Sequence, residues 1–94
     1  MNLISITRKL EESVEIWLGS HVGSTEDVSW ALGITEDVED VFVSIWVILD
    51  DDGLIFESKS SIPLAEANQK TVLEKLSEVW DLIQINKMAS NTLS

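Results

Sequence analysis

The residues able to perform chemistry are few, apart from a large excess of carboxylates. His21 is the only histidine and the chain has no cysteine, which excludes thiolate nucleophiles, disulfides and cysteine-based zinc sites. A lone histidine has no second metal ligand or nucleophile beside it in the sequence, which favours a place at a strand end or on the surface. No phosphate-binding glycine loop and no Gly-x-Ser-x-Gly turn occurs. The sequence therefore predicts no enzyme and no cofactor.

The segment Asp50-Asp51-Asp52-Gly53 invites a calcium interpretation, since carboxylates followed by glycine occur in EF-hand loops. Placing Gly53 at the sixth loop position puts Ile48 at the first and Lys59 at the twelfth, where carboxylates are required. The EF-hand pattern therefore fails. Weak cation binding remains an alternative, but a solvated hairpin turn is favoured and no metal site is predicted.

Charge is the most unusual property of the chain. It carries 17 acidic residues against 6 Lys and Arg, a net charge of −11 and a pI of about 4.1. No Lys or Arg occurs between Leu10 and Ser58, a stretch that holds thirteen of the acids. Nucleic acids and anionic membranes both attract basic surfaces, so direct binding to either is excluded. The expected partner is a basic protein, such as one that itself binds nucleic acid.

The elements that position these acids belong to one domain. The chain has 94 residues, 45% of them hydrophobic, with four tryptophans to fill a core. We expect a single α+β domain over residues 1–88 and a flexible tail over residues 89–94. The longest apolar run, Ile45–Leu49, is too short to cross a membrane, and the N-terminus lacks a secretory pattern. These features predict a cytoplasmic protein.

The N-terminal part predicts a short helix followed by a strand. Asn2 could cap a helix whose apolar positions are Leu3, Ile6 and Leu10, although residues 4–7 also fit an extended chain. Glu11 and Glu12 oppose the helix dipole and favour an end there. From Val14 to Leu18 an apolar aliphatic residue then occupies every second position, which is the period of a β-strand. This alternation predicts the first strand.

The middle of the chain predicts three further strands. Alternation over 28–34 favours a second strand, with a short helix capped by Ser24 and ended by Gly33 as the alternative. Residues 41–49 and 54–60 form the third and fourth strands. Asp52-Gly53 between them suits a two-residue type I′ turn. That turn would place Leu49 opposite Phe56 and Val47 opposite Ser58 on one face, with Ile48 opposite Glu57 and Trp46 opposite Lys59 on the other.

The C-terminal part predicts a long helix, from about Leu64 to about Asn86, with Pro63 at its first turn. The complete order is α-β-β-β-β-α, a two-layer α+β fold with a four-stranded antiparallel meander and both helices on one face. The third strand is apolar on both faces, and helices cover only one of them. Phe42, Trp46 and Ile48 on the second face must be covered by sheet curvature, another subunit or a partner, unless the strand is simply buried.

Two functional hypotheses follow. The first is a non-enzymatic module that blocks a basic partner, with nucleic-acid mimicry as one mechanism, and its expected contacts are the acids of two turns: Glu36, Asp37, Glu39, Asp40, Asp50, Asp51 and Asp52. In size, acidity and α+β outline the chain resembles phage anti-defence proteins and toxin-immunity proteins, although no residue motif carries this resemblance. The second is a homodimeric adaptor or chaperone-like module with Phe42, Trp46 and Ile48 as an apolar interface. Acidity that serves only solubility is the alternative to both.

Overall fold

The computed structural model describes the backbone of residues 3–93 and the side chains of residues 8–90. Its elements are α1 (Leu3–Gly19), β1 (Glu26–Glu36), β2 (Val41–Asp51), β3 (Leu54–Pro63), a 3-10 turn (Leu64–Glu66) and α2 (Gln69–Leu93). The strands form one antiparallel sheet in the order β1-β2-β3. The two-layer arrangement thus has a three-stranded sheet, and the predicted four-stranded meander is wrong.

The segment predicted as the first strand is the second half of α1. Leu10, Val14 and Leu18 recur every fourth residue and are all buried, whereas Ile16 is 75% exposed. A four-residue spacing of buried residues is the pattern of one helix face. The apparent strand alternation arose because Ile16 lies two positions from both Val14 and Leu18. Packing of this face lets the helix continue past Glu11 and Glu12. The predicted cap Asn2 lies outside the described residues.

The three remaining predicted strands are present and the β2–β3 register is as predicted. Each strand is longer than the predicted 28–34, 41–49 and 54–60. Trp46 pairs with Lys59 and Leu49 with Phe56, and the hairpin closes with two residues between Asp51 and Leu54. Asp52 and Gly53 have φ values of +54° and +90°, as a type I′ turn requires. The strand interpretation of residues 28–34 is confirmed, since β1 pairs with β2 along its whole length.

The core lies between the helices and one face of the sheet. From β2 it takes Val43, Ile45, Val47 and Leu49, all fully buried. The helices add Leu10, Val14 and Leu18 from α1 and Val72, Leu76, Val79, Trp80 and Ile83 from α2. The odd-numbered residues of β2 therefore face the helices, and the even-numbered ones point to the opposite side.

The second helix begins later than predicted because its cap is Asn68. The Thr71 N–H donates to Asn68 Oδ1 at 3.0 Å, and the Asn68 N–H donates to Thr71 Oγ1 at 2.9 Å. This reciprocal pair satisfies two backbone groups at the helix start. Pro63 instead precedes the separate 3-10 turn. The helix runs to Leu93, past its predicted end near Asn86, so residues 89–93 of the predicted tail continue the helix. The flexibility of residues 89–94 stays a prediction.

Candidate protein-binding face

Among the described residues, no helix packs against one of the two sheet faces, and we call this the open face. Its members alternate with the core residues along the three strands: 27, 29, 31, 33 and 35 of β1, 42, 44, 46, 48 and 50 of β2, and 55, 57, 59, 61 and 63 of β3. The β1 column is small in its centre, with Ser29, Ala31 and Gly33. The central β2 column carries the aromatic and apolar residues Phe42, Trp46 and Ile48, of which Trp46 is the most exposed.

Trp46 is the middle residue of this β2 column. Its side chain is 48% exposed, and its indole Nε1 donates to Glu57 Oε2 on β3 at 3.3 Å. An open cavity of about 330 Å³ lies on the β3 side, lined by Trp46, Glu57 and Lys59. A second of about 220 Å³ lies on the β1 side, lined in part by Ala31 and Ile48. The ring is therefore held in place and accessible from both sides.

A row of hydroxyl groups crosses the open face next to Trp46. Ser44 Oγ lies 2.9 Å from Thr35 Oγ1 and 3.0 Å from Ser61 Oγ, so one hydrogen-bonded row joins all three strands. Beyond it Phe42 is half-buried. The apolar residues predicted as an interface thus lie on one strand and one face, with the hydroxyl row between Phe42 and the Trp46–Ile48 pair.

The first acidic turn joins β1 to β2 and is exposed throughout. Glu36, Asp37, Glu39 and Asp40 surround Val38, whose side chain is 97% exposed. Asp37 also shapes the turn, because its Oδ1 accepts the Val38 N–H at 2.7 Å and its N–H donates to the Asp40 carbonyl at 2.8 Å. Four carboxylates are therefore presented to solvent on a defined turn.

The second acidic turn, Asp50–Asp52, lies at the opposite end of the sheet, and two of its three carboxylates have structural partners. Asp50 Oδ1 accepts the Gly53 N–H at 2.9 Å, which supports the turn. Asp51 Oδ2 lies 2.8 Å from Lys87 Nζ, and Glu26 Oε2 at the start of β1 lies 2.8 Å from the same nitrogen. Lys87 thus ties α2 to the ends of β1 and β2.

This ion network shifts the pKa values of Glu26 and Lys87. Lys87, and then the Gly23 N–H at 2.8 Å, hold the pKa of Glu26 below its ordinary value of 4.5. Asp51, and then Glu26, raise the pKa of Lys87 above its ordinary value of 10.5. Within residues 8–90 the only other ion pair is Lys75–Glu78, so the open-face acids Asp27, Asp50 and Glu57 form no ion pair there, although Lys59 lies on the same face as Glu57.

His21 closes the end of α1. Its ring stacks on Trp17 with centroids 3.7 Å apart, and its Nδ1 lies 2.8 Å from the Trp17 carbonyl oxygen. A carbonyl oxygen only accepts hydrogen bonds, so this contact places the ring proton on Nδ1. Nδ1 is then not free to act as a base for Ser20. The Ser20 hydroxyl donates to the same Trp17 carbonyl at 2.8 Å. Both side chains therefore satisfy a carbonyl at the helix end.

Within the described residues, no group of three or more His, Asp or Glu side chains is placed to hold a metal ion. No helix in the same part of the chain is long and apolar enough to cross a membrane. Comparisons with protein-family models, curated proteins and solved structures find no significant match to this chain.

The open face also contains features that the site prediction did not include. Glu57 was not proposed as a site residue, although the predicted hairpin register already placed it beside Ile48 and near Trp46. The Lys87 network had no sequence signal, because Lys87 is 61 residues from Glu26. The predicted acids lie at the two opposite ends of β2, which is the placement that the alternating strand directions of a meander predict.

Proposed function

We propose that this protein is a non-enzymatic binding module whose open face binds a basic protein partner and blocks it. The observation that carries this proposal is the fixed, half-exposed Trp46 on a sheet face without a helix cover. Exposed aromatic side chains of this kind are common anchors of protein interfaces. We place the protein in the cytoplasm, where a chain without cysteine needs no oxidising environment.

Charge supports a basic partner. The chain has a net charge of −11, and the acids of the β1–β2 turn lack ion pairs within residues 8–90. A surface of one sign accelerates association with an oppositely charged protein and discriminates against other acidic partners. The acids Glu36, Asp37, Glu39 and Asp40 are therefore proposed contacts, together with Asp50 and Asp52 of the second acidic turn. Asp51 is left out of the proposal, because it lies on the helix side of the sheet and pairs with Lys87.

The partner we favour is a nucleic-acid-binding protein, which the module would block by occupying its phosphate-binding surface. The two acidic turns lie at the ends of β2, whose ten residue steps span about 33 Å. This arrangement fits a partner with two basic patches at that separation better than one that binds a continuous row of phosphates. If the module mimics nucleic acid, DNA or RNA must compete with it for the partner's phosphate-binding surface.

A homodimer through the open face is the alternative, since Phe42, Trp46 and Ile48 lie on this face without a helix over them. Asp27, Asp50 and Glu57 lie on the same face, and like charges brought together across an interface disfavour association. A basic partner meets these carboxylates with the opposite charge, so we favour it over a second copy of this chain.

The test is affinity capture of a basic protein from cell lysate at low salt, with the wild type and matched variants immobilised in parallel. The captured protein is then eluted in a salt gradient. We expect Trp46→Ala to lose a basic protein that the wild type captures, and Glu39→Lys/Asp40→Lys to release it at lower salt. Leu82→Ala is the control, because Leu82 is equally exposed, at 51%, but lies on α2. DNA or RNA should displace the captured protein. Equal capture by Trp46→Ala and wild type would contradict the proposed face, and a dimeric mass abolished by Trp46→Glu would favour the homodimer.

A further inference from the structure

We propose that Trp46 and Glu57 form a site for an arginine side chain of the partner. This inference rests on the proposed function, since it names the side chain that the open face recognises. The two residues adjoin across β2 and β3 and line the same cavity of about 330 Å³. The site combines an aromatic ring with a carboxylate, which are the two groups that bind a guanidinium.

The hydrogen bond between the two residues prepares the site. Trp46 Nε1 donates to Glu57 Oε2 at 3.3 Å, which fixes the ring relative to the carboxylate. Glu57 Oε1 has no hydrogen-bond partner within the described side chains, and Glu57 has no ion pair there. One carboxylate oxygen therefore orients the indole, and the other is available to a cation in the cavity.

The same geometry favours arginine over lysine. A guanidinium is planar, so it stacks on the indole while its edge donates to a carboxylate beside the ring. It is also less strongly hydrated than an ammonium, so moving it from water onto the ring costs less. A lysine ammonium is a compact charge, so it interacts well with either the Trp46 ring or the Glu57 carboxylate but not with both at once. The small Ala31 opposite Trp46 leaves the second side of the ring open as well.

Lys59 is the native cation nearest this site. It pairs with Trp46 across the strands, lines the same cavity and makes no ion pair within residues 8–90. A positive charge there repels an incoming guanidinium. Removing it in Lys59→Gln should therefore tighten binding of an arginine peptide by about twofold or more.

The experiment compares an acetylated tri-arginine amide with the tri-lysine amide of equal charge at low salt. Binding is followed by NMR through the Trp46 indole N–H and the backbone amides of Ala31 and Lys59. We expect the arginine peptide to bind about fivefold more tightly and to shift the indole signal. This preference should vanish in Trp46→Leu and persist in part in Trp46→Phe, while Glu57→Gln should weaken arginine binding.

Glu39→Gln is the matched control, because it removes one acid from the β1–β2 turn, away from Trp46 and Glu57. It should leave the preference for the arginine peptide unchanged. Equal affinities for the two peptides, no binding of either, or a preference that survives Trp46→Leu would overturn the arginine site. None of these outcomes bears on whether a basic protein is captured, so the proposed function stands or falls separately in the capture experiment. Trp46 lies outside the core, so both substitutions there should leave the fold intact.

Discussion

Replacing Lys87 with methionine should destabilise the fold more than removing any other lysine. Lys87→Met keeps the methylene stem but removes the ammonium that lies 2.8 Å from both Glu26 and Asp51. Two carboxylates at the ends of neighbouring strands would then face each other without a counter-ion. The C-terminal half of α2 would also lose its charged contact with the sheet.

The expected magnitude follows from burial. Exposed ion pairs contribute about 0.2–1 kcal/mol, whereas breaking a fully buried pair costs about 3–5 kcal/mol. The side chains of Lys87, Glu26 and Asp51 are 23%, 10% and 23% exposed, which lies between these cases. We therefore expect a loss of about 2 kcal/mol at pH 7, or a Tm lower by about 8–16 °C for a domain of this size.

The loss should depend on pH in a defined direction. Because the folded pKa of Glu26 is lowered, its contribution is present above its ordinary value of 4.5 and is lost as pH falls through the folded value. Because the folded pKa of Lys87 is raised, its contribution is present below 10.5 and is lost as pH rises through the folded value. The difference between Lys87→Met and wild type should thus shrink in strong acid.

Urea unfolding followed by circular dichroism measures this difference at pH 7 and again near pH 2. Lys75→Met is the control, because its ion pair with Glu78 spans 3.2 Å between side chains that are 39% and 62% exposed. We expect this control to lose less than about 0.5 kcal/mol. If Lys87→Met costs no more than the control, or costs the same at both pH values, the reasoning from the ion network is refuted.

Four further variants test the fold by the same urea measurement. Leu18→Ala should cost about 3 kcal/mol and Ile16→Ala less than about 0.5 kcal/mol, because only Leu18 lies on the buried face of α1; similar costs would contradict the helix. Asn68→Ala should cost about 1 kcal/mol through the lost α2 cap, and no loss would remove that role. Gly53→Ala should cost about 1 kcal/mol at φ +90°; a neutral effect would contradict the turn geometry.

The candidate site shows where sequence reasoning succeeds and where it stops. The Asp52-Gly53 turn set the register of β2 and β3, so the neighbours of Trp46 and Ile48 were predictable from local sequence. The choice of face was not predictable, because both faces of β2 are apolar and only helix packing decides between them. Val43 and Val47 became core, and Trp46 was left half-exposed.

The N-terminal segment illustrates the same limit within one element. Val14, Ile16 and Leu18 fit the period of a strand, while Leu10, Val14 and Leu18 fit the period of a helix, and the local sequence satisfies both. The decision came from contact with α2, where Trp17 meets Trp80 with ring centroids 6.1 Å apart. Such a contact joins residues more than sixty positions apart, so no local period reports it.

The sequence by itself determined the acidic character, the absence of cysteine chemistry, the β2–β3 hairpin and the alternating faces of its strands. These properties depend on residue type or on neighbours a few positions away. The tertiary structure decided that three strands form the sheet, that the open face presents Trp46 beside Glu57, and that Lys87 joins Glu26 and Asp51. Each of these depends on packing between distant segments, whose contacts form only when the whole chain has folded.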